Sequence, residues 1–184
     1  MEIRQRTPLH SSSADGNLQR VSQLLTERVI SIDAVDELGW TALIVASSAG
    51  HEPIVKLLLE NGANVNACND NGQTSLHYAA SRDRRQVALA LINSGIYVNA
   101  RDNFGSTALH RAASKGLLEM VRLLLSCNRI DVNLSDDLGN TALHLAAEED
   151  RLDVCKLLIA AGANVSLLNK VLFFLNQKKR SQYI

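Results

Sequence analysis

The sequence predicts an all-α solenoid of about five helix-turn-helix repeats joined by β-hairpin-like turns, and three observations carry that reading. A tetrapeptide recurs in register as Thr7-Pro8-Leu9-His10, Thr41-Ala42-Leu43-Ile44, Thr74-Ser75-Leu76-His77, Thr107-Ala108-Leu109-His110 and Thr141-Ala142-Leu143-His144, at intervals of 34, 33, 33 and 34 residues. The 184-residue chain is 46% hydrophobic but only 4% aromatic, so its core is built from Leu, Ile, Val and Ala, which suit thin, closely packed helices. Apolar residues at helical spacing then follow each tetrapeptide, as in Ile54, Val55, Leu57, Leu58 and Leu59 or Met120, Val121, Leu123, Leu124 and Leu125.

Each element of the unit has a physical reason. Gly39, Gly72, Gly105 and Gly139 stand two residues before their threonines, where a tight turn between short extended arms calls for positive φ. Asp36, Asn69, Asp102 and Asp136 stand five residues before, and their side chains can accept from backbone amides in that turn. The threonine caps the first helix by offering its oxygen to free N–H groups. Small pairs such as Ala79-Ala80, Ala112-Ala113 and Ala146-Ala147 let neighbouring units approach. Gly16, Gly50, Asp83, Gly116 and Asp150 fall at the corner between the two helices, a left-handed position that Asp tolerates less well than Gly. Gly62, Gly95 and Gly162 stop the second helix, and Asn128 is expected to do so in the fourth unit.

A period of about 33 with Thr-Pro-Leu-His is the ankyrin signature, so the fold expected is an ankyrin-repeat solenoid. The repeat domain covers 1–170, with units near 7–36, 37–69, 70–102, 103–136 and 137–169, and a divergent tail covers 171–184. One unit cannot bury its apolar face alone, whereas stacking gives a shared core. The first unit opens at Thr7 and carries the polar run Ser11-Ser12-Ser13-Ala14, fit for a terminal cap. At the other end the spacing calls for Gly near 172 and Thr near 174, but the chain reads Val171-Leu172-Phe173-Phe174-Leu175 and then turns basic. That stretch either folds over the last unit or extends from the array.

Composition narrows the function. Nineteen basic residues balance nineteen acidic ones, which argues against a general nucleic-acid or anionic-membrane binder, since phosphate affinity needs a basic surplus or stripe. Cys68, Cys127 and Cys155 are odd in number and lack CxxC spacing, so they read as reduced thiols rather than a zinc site. The N-terminal residues lack a leader's apolar stretch, and no run approaches the ~20 apolar residues of a membrane span; cytoplasm and nucleus are the expected compartments. His10, His77, His110 and His144 could suggest metal ligands or bases, but stacked units lie ~10 Å apart, too far to share a metal. They are expected to bond backbone and tie adjacent turns, with His51 structural as well. Without a phosphate loop, zinc-protease or nucleophile-elbow motif, no enzyme or cofactor is expected. The cluster Arg82, Arg84 and Arg85 reads as a solvated face.

What a repeat array offers is an extended concave surface for another protein. Its candidate residues are Glu37, Leu38 and Trp40; Asp70, Asn71, Gln73, Tyr78 and Arg82; Asn103, Phe104, Ser106, Arg111 and Lys115; and Asp137, Leu138, Asn140 and Glu148. Trp40, Tyr78 and Phe104 are three of only seven aromatics and stand where burial is not required, so they are candidate anchors. Trp40 and Phe104 could instead pack on neighbouring turns.

The segments Gly39-Trp40-Thr41, Ser75-Leu76-His77-Tyr78-Ala79-Ala80-Ser81 and Ala108-Leu109-His110-Arg111-Ala112-Ala113-Ser114-Lys115-Gly116 are more specific than the generic repeat. They resemble the gankyrin family, ankyrin-repeat non-ATPase subunits of the proteasome regulatory particle, from Arg6 to about Lys170. The resemblance implies a monomeric assembly chaperone that grips the C-terminal domain of a proteasomal ATPase subunit. Arg6 and Trp40 match that family's ATPase-binding positions. It also implies links to a cyclin-dependent kinase and to the retinoblastoma protein. The retinoblastoma motif LxCxE, however, is Leu145-Ala146-Ala147-Glu148-Glu149 here, with Ala147 in place of Cys. Against the family's seven repeats, this chain lacks the first and most of the last. The bottom-up alternative is an adaptor or kinase regulator with a different protein partner.

Overall fold

A computed structural model of the chain describes residues 4–28 and 30–167. Among them are ten α-helices in five antiparallel pairs: α1 (Pro8–Ala14) with α2 (Leu18–Glu27), α3 (Ala42–Ala49) with α4 (Glu52–Glu60), α5 (Ser75–Ser81) with α6 (Arg85–Asn93), α7 (Ala108–Ser114) with α8 (Leu118–Leu125), and α9 (Ala142–Glu148) with α10 (Leu152–Ala160). First helices pack on first helices of the next pair, and second helices on second, so the core is a continuous strip rather than a ball. The hairpin-like turns hold isolated antiparallel bridges, Val35 to Thr41, Cys68 to Thr74 and Ser135 to Thr141, without forming strands.

The strip is built from rows of equivalent residues. Leu9, Leu43, Leu76 and Leu109 form one buried row, and Leu24, Leu58, Leu91, Leu124 and Leu158 another. Each such leucine stabilises by roughly 1.5–3 kcal/mol through loss of water contact. Ala46, Ala79, Ala112 and Ala146 have no accessible surface, which is why the short helices can lie so close.

The four histidines tie the rows together. Each Nδ1 accepts the backbone N–H of its own threonine (Thr7, Thr74, Thr107 and Thr141, 3.1–3.2 Å). A backbone N–H can only donate, so Nδ1 is unprotonated and Nε2 carries the proton. Nε2–H then donates to a carbonyl of the next turn: His10 to Trp40 at 2.8 Å, His77 to Ser106 at 3.0 Å, His110 to Asn140 at 2.9 Å and His144 to Leu167 at 3.0 Å. The imidazole fills the role a glutamate plays in a capping box and adds a bond between units. Unit two has Ile44 instead, fully buried and without that bond.

The corner is left-handed at Asp83 and Asp150 as well as at the glycines. One helix end differs from expectation, and one had no residue assigned to it. Asn128 is not left-handed; α8 ends on Ser126 in a right-handed conformation, and the extra residue of this unit is taken up beyond it. In unit one the left-handed stop is Arg28, with φ 52°. The expectations for 171–184 lie outside the described residues.

Candidate protein-binding surface

The turn tips stack as closely as the helices do. Asp70 N–H donates to the Leu38 carbonyl (3.1 Å), Asn103 N–H to Asn71 (2.9 Å) and Asp137 N–H to Phe104 (3.0 Å), so the tips form one ladder. Gly105 shows how tight the ladder is: at φ 74°, an added Cβ would lie 2.9 Å from the Asp137 amide nitrogen. Within each turn the expected carboxylate or amide does its work. Asp102 Oδ1 accepts from Phe104 and Ser106 N–H, Asn69 Oδ1 from Asn71 and Gln73, and Asp36 and Asp136 repeat the pattern.

The candidates separate into three groups. Glu37, Asp70, Asn71, Asn103 and Asp137 lie exposed on the tips, beside Phe104 at 67% exposure. Phe104 does not pack away on its neighbours. Asp70 pairs with Arg4 (2.7 Å) and Asp137 with Arg101 (3.2 Å), half-solvated bonds worth at most about 1 kcal/mol each. Neither arginine was singled out in the sequence, because the pairs join residues 66 and 36 positions apart.

A second group is engaged inside the protein. Trp40 is half-buried against Tyr78 of the next unit, ring centroids 4.3 Å apart and tilted by 44°. The Tyr78 hydroxyl donates to Gln73 Oε1 (2.6 Å) and accepts from Asn69 Nδ2 (2.9 Å). Burial pushes its phenol up from the usual value. Arg111 forms an ion pair with Asp102, whose side chain is wholly buried. Burial works to raise the Asp102 carboxyl, but Arg111 and the amides of Ser106 and Phe104 outweigh it and hold it below the ordinary value. Asn140 corrects the sequence reading outright. It is 8% exposed, turned in so that its N–H and side-chain amide both donate to Asp136.

The third group lines a groove. Arg6, Trp40 and Arg82 meet around a cavity of about 300 Å³ floored by Val45, Ser48 and Ala49, with Asp36 and Leu38 at its tip side. Two exposed guanidinium groups beside an aromatic wall suit a carboxylate on an extended or helical segment. The floor residues carry no sequence signal, being small or aliphatic side chains common to any such helix. Lys115, further along, is exposed but donates to the Ser81 carbonyl at 2.9 Å. His51 bonds the Ala14 carbonyl at 3.0 Å across the first corner. Among the described residues no group of three His, Cys, Asp or Glu could hold a metal ion, and no helix is long and apolar enough to cross a membrane.

Stacked helix pairs with laddered tips and an open inner face define a protein-binding repeat scaffold. The family model described as ankyrin repeats (3 copies) matches residues 9–102 and 98–169, and the chain belongs to the ankyrin-repeat family. A search of curated proteins finds no match.

Proposed function

We propose that this protein is a gankyrin-like assembly chaperone of the proteasome regulatory particle, working in the cytoplasm and nucleus, whose concave face holds the C-terminal domain of an ATPase subunit. The observation that carries the reading is the groove, where Arg6 and Trp40, the positions matched by resemblance, come together with Arg82. Retinoblastoma binding is left out of the proposal, since Ala147 stands where the motif needs a thiol. Titration calorimetry with each ATPase C-terminal domain tests it. One domain should bind, and Arg6→Glu with Arg82→Glu should weaken binding by about tenfold or more, since each buried charge contact carries about 1–2 kcal/mol. Binding to none of the domains would sink the proposal.

A second reading, an adaptor or kinase regulator with a different partner, is favoured by one feature. Leu38, Phe104 and Leu138 project from the tips as an apolar series that a mainly charged partner would leave exposed. Affinity capture that survives Arg6→Glu and Arg82→Glu but not Phe104→Ala would favour it.

A further inference from the structure

The edge formed by the turn tips carries two rows of exposed side chains and shares only Leu38 with the groove. Leu38, Phe104 and Leu138 stand three residues before their threonines and are 64–67% exposed, with Asn71 at the same place in unit three. One residue earlier stand Glu37, Asp70, Asn103 and Asp137, all exposed. The turns 33–40, 66–73, 99–106 and 133–140 hold seven acids and, as their only base, Arg101. Glu37 has no ion-pair partner among the described residues, and the half-solvated pairs of Asp70 and Asp137 exchange readily for others. The edge is thus acidic where the groove, with Arg6 and Arg82, is basic, and it draws a cationic segment.

The ladder of tip bonds fixes the step of both rows at that of the stacked units, about 10 Å. A polyproline II segment turns every third side chain to one side, roughly 9 Å apart, and so offers one to each tip. A β-strand does so roughly every 7 Å, out of step with the tips. An α-helix matches only at every seventh residue, about 10.5 Å apart, and its backbone is already hydrogen-bonded. The break in the apolar row favours the open backbone. Asn71 N–H donates to Asn69 and its carbonyl accepts from Asn103, but its side-chain amide has no bond among the described residues. That amide can donate to a carbonyl, or accept an N–H, of a segment that has no internal hydrogen bonds.

We propose that this edge docks a proline-rich segment of a partner protein that carries lysine or arginine and adopts the polyproline II conformation. Its apolar side chains, one at every third position, lie against Leu38, Phe104 and Leu138, and its backbone bonds Asn71 between them. The proposal holds whichever partner fills the groove. The probe is a labelled peptide of four Leu-Pro-Lys repeats, titrated by fluorescence anisotropy against the full chain at low and high salt. It should bind saturably, and less tightly as salt rises. Phe104→Ser should weaken binding by about tenfold and Glu37→Lys by about threefold, with Tm unchanged because neither side chain is buried. Arg6→Glu with Arg82→Glu should not weaken it. A peptide of the same composition in three blocks, all leucines, then prolines, then lysines, should bind about tenfold less tightly, having lost the period. Equal binding of the block peptide would reduce the edge to a charged surface and overturn the proposal. So would full binding by Phe104→Ser, loss of binding in the Arg6 and Arg82 variant, or no saturable binding at all. Tighter binding of a helical peptide with leucine at every seventh position and as many lysines would overturn it too.

Discussion

Four residues after its capping threonine, unit three carries Tyr78 and unit four carries Arg111; five residues before it, they carry Asn69 and Asp102. The two pairs sit at the same places in the same turn. In unit three a neutral amide meets a phenol, and in unit four a buried carboxylate meets a guanidinium. Each inner-helix residue completes the hydrogen bonding of the turn behind it. A residue that departs from the repeat's usual aliphatic is therefore not free for a partner on that account. It is explained first by the other half of its pair.

Breaking the charged pair should have the largest effect. Arg111→Leu, which copies Leu145 of unit five, leaves the buried Asp102 carboxylate with backbone donors alone. The expected loss is about 2–3 kcal/mol in denaturant unfolding, below the 3–5 of a fully buried pair because part of Arg111 is solvated. Transplanting the unit-three pair, Asp102→Asn with Arg111→Tyr, should recover all but about 1 kcal/mol of this, with a coupling of about 1–2 kcal/mol in the double-mutant cycle. Additive effects would mean the pairs are not units. Tyr78→Phe keeps the ring on Trp40 and loses only the hydroxyl bonds to Gln73 and Asn69, so about 1 kcal/mol is expected.

Acid separates the two regions by a smaller margin. Burial lowers the pKa of His77 and His110 against the opposing bonds to the Ser106 and Asn140 carbonyls. Their neutral rings stabilise the fold above the ordinary 6.5, and that contribution falls as pH drops through the lowered folded-state values, because the unfolded chain binds protons first. Asp102 has the same sign: its contribution is present above 3.8 and is lost as pH falls through its lowered value. Stability measured against pH should show both losses, and Asp102→Asn with Arg111→Tyr should remove the second alone.

Much of the fold was legible in the sequence because a repeat writes the same local rule four or five times. The capping threonine, the turn carboxylate, the left-handed corner and the histidine tie are all consequences of spacing within 34 residues. What the spacing could not tell is which side chains turn toward the solvent. Asn140 fits a tip position yet folds back on Asp136, and Arg4 and Arg101 find acids only after units stack. The groove at Arg6, Trp40 and Arg82 draws on three units at once, and no local pattern contains it. The helix end at Arg28 was missed because nothing in its residue type favours a positive φ.

Ile44 leaves the joint between units two and three without the directional bond that His10, His77, His110 and His144 provide elsewhere. That joint rests on apolar burial, on the tip bond from Asp70 to Leu38, on the Tyr97 N–H bond to Asn66 Oδ1 (2.8 Å), and on the Trp40–Tyr78 contact. Its hydrogen bonds lie at the tips and loops, while its inner helices meet through apolar packing, which is not directional. The groove around Trp40 straddles this joint, so its two walls are held to each other with one directional tie fewer than the histidine-bonded pairs of units have.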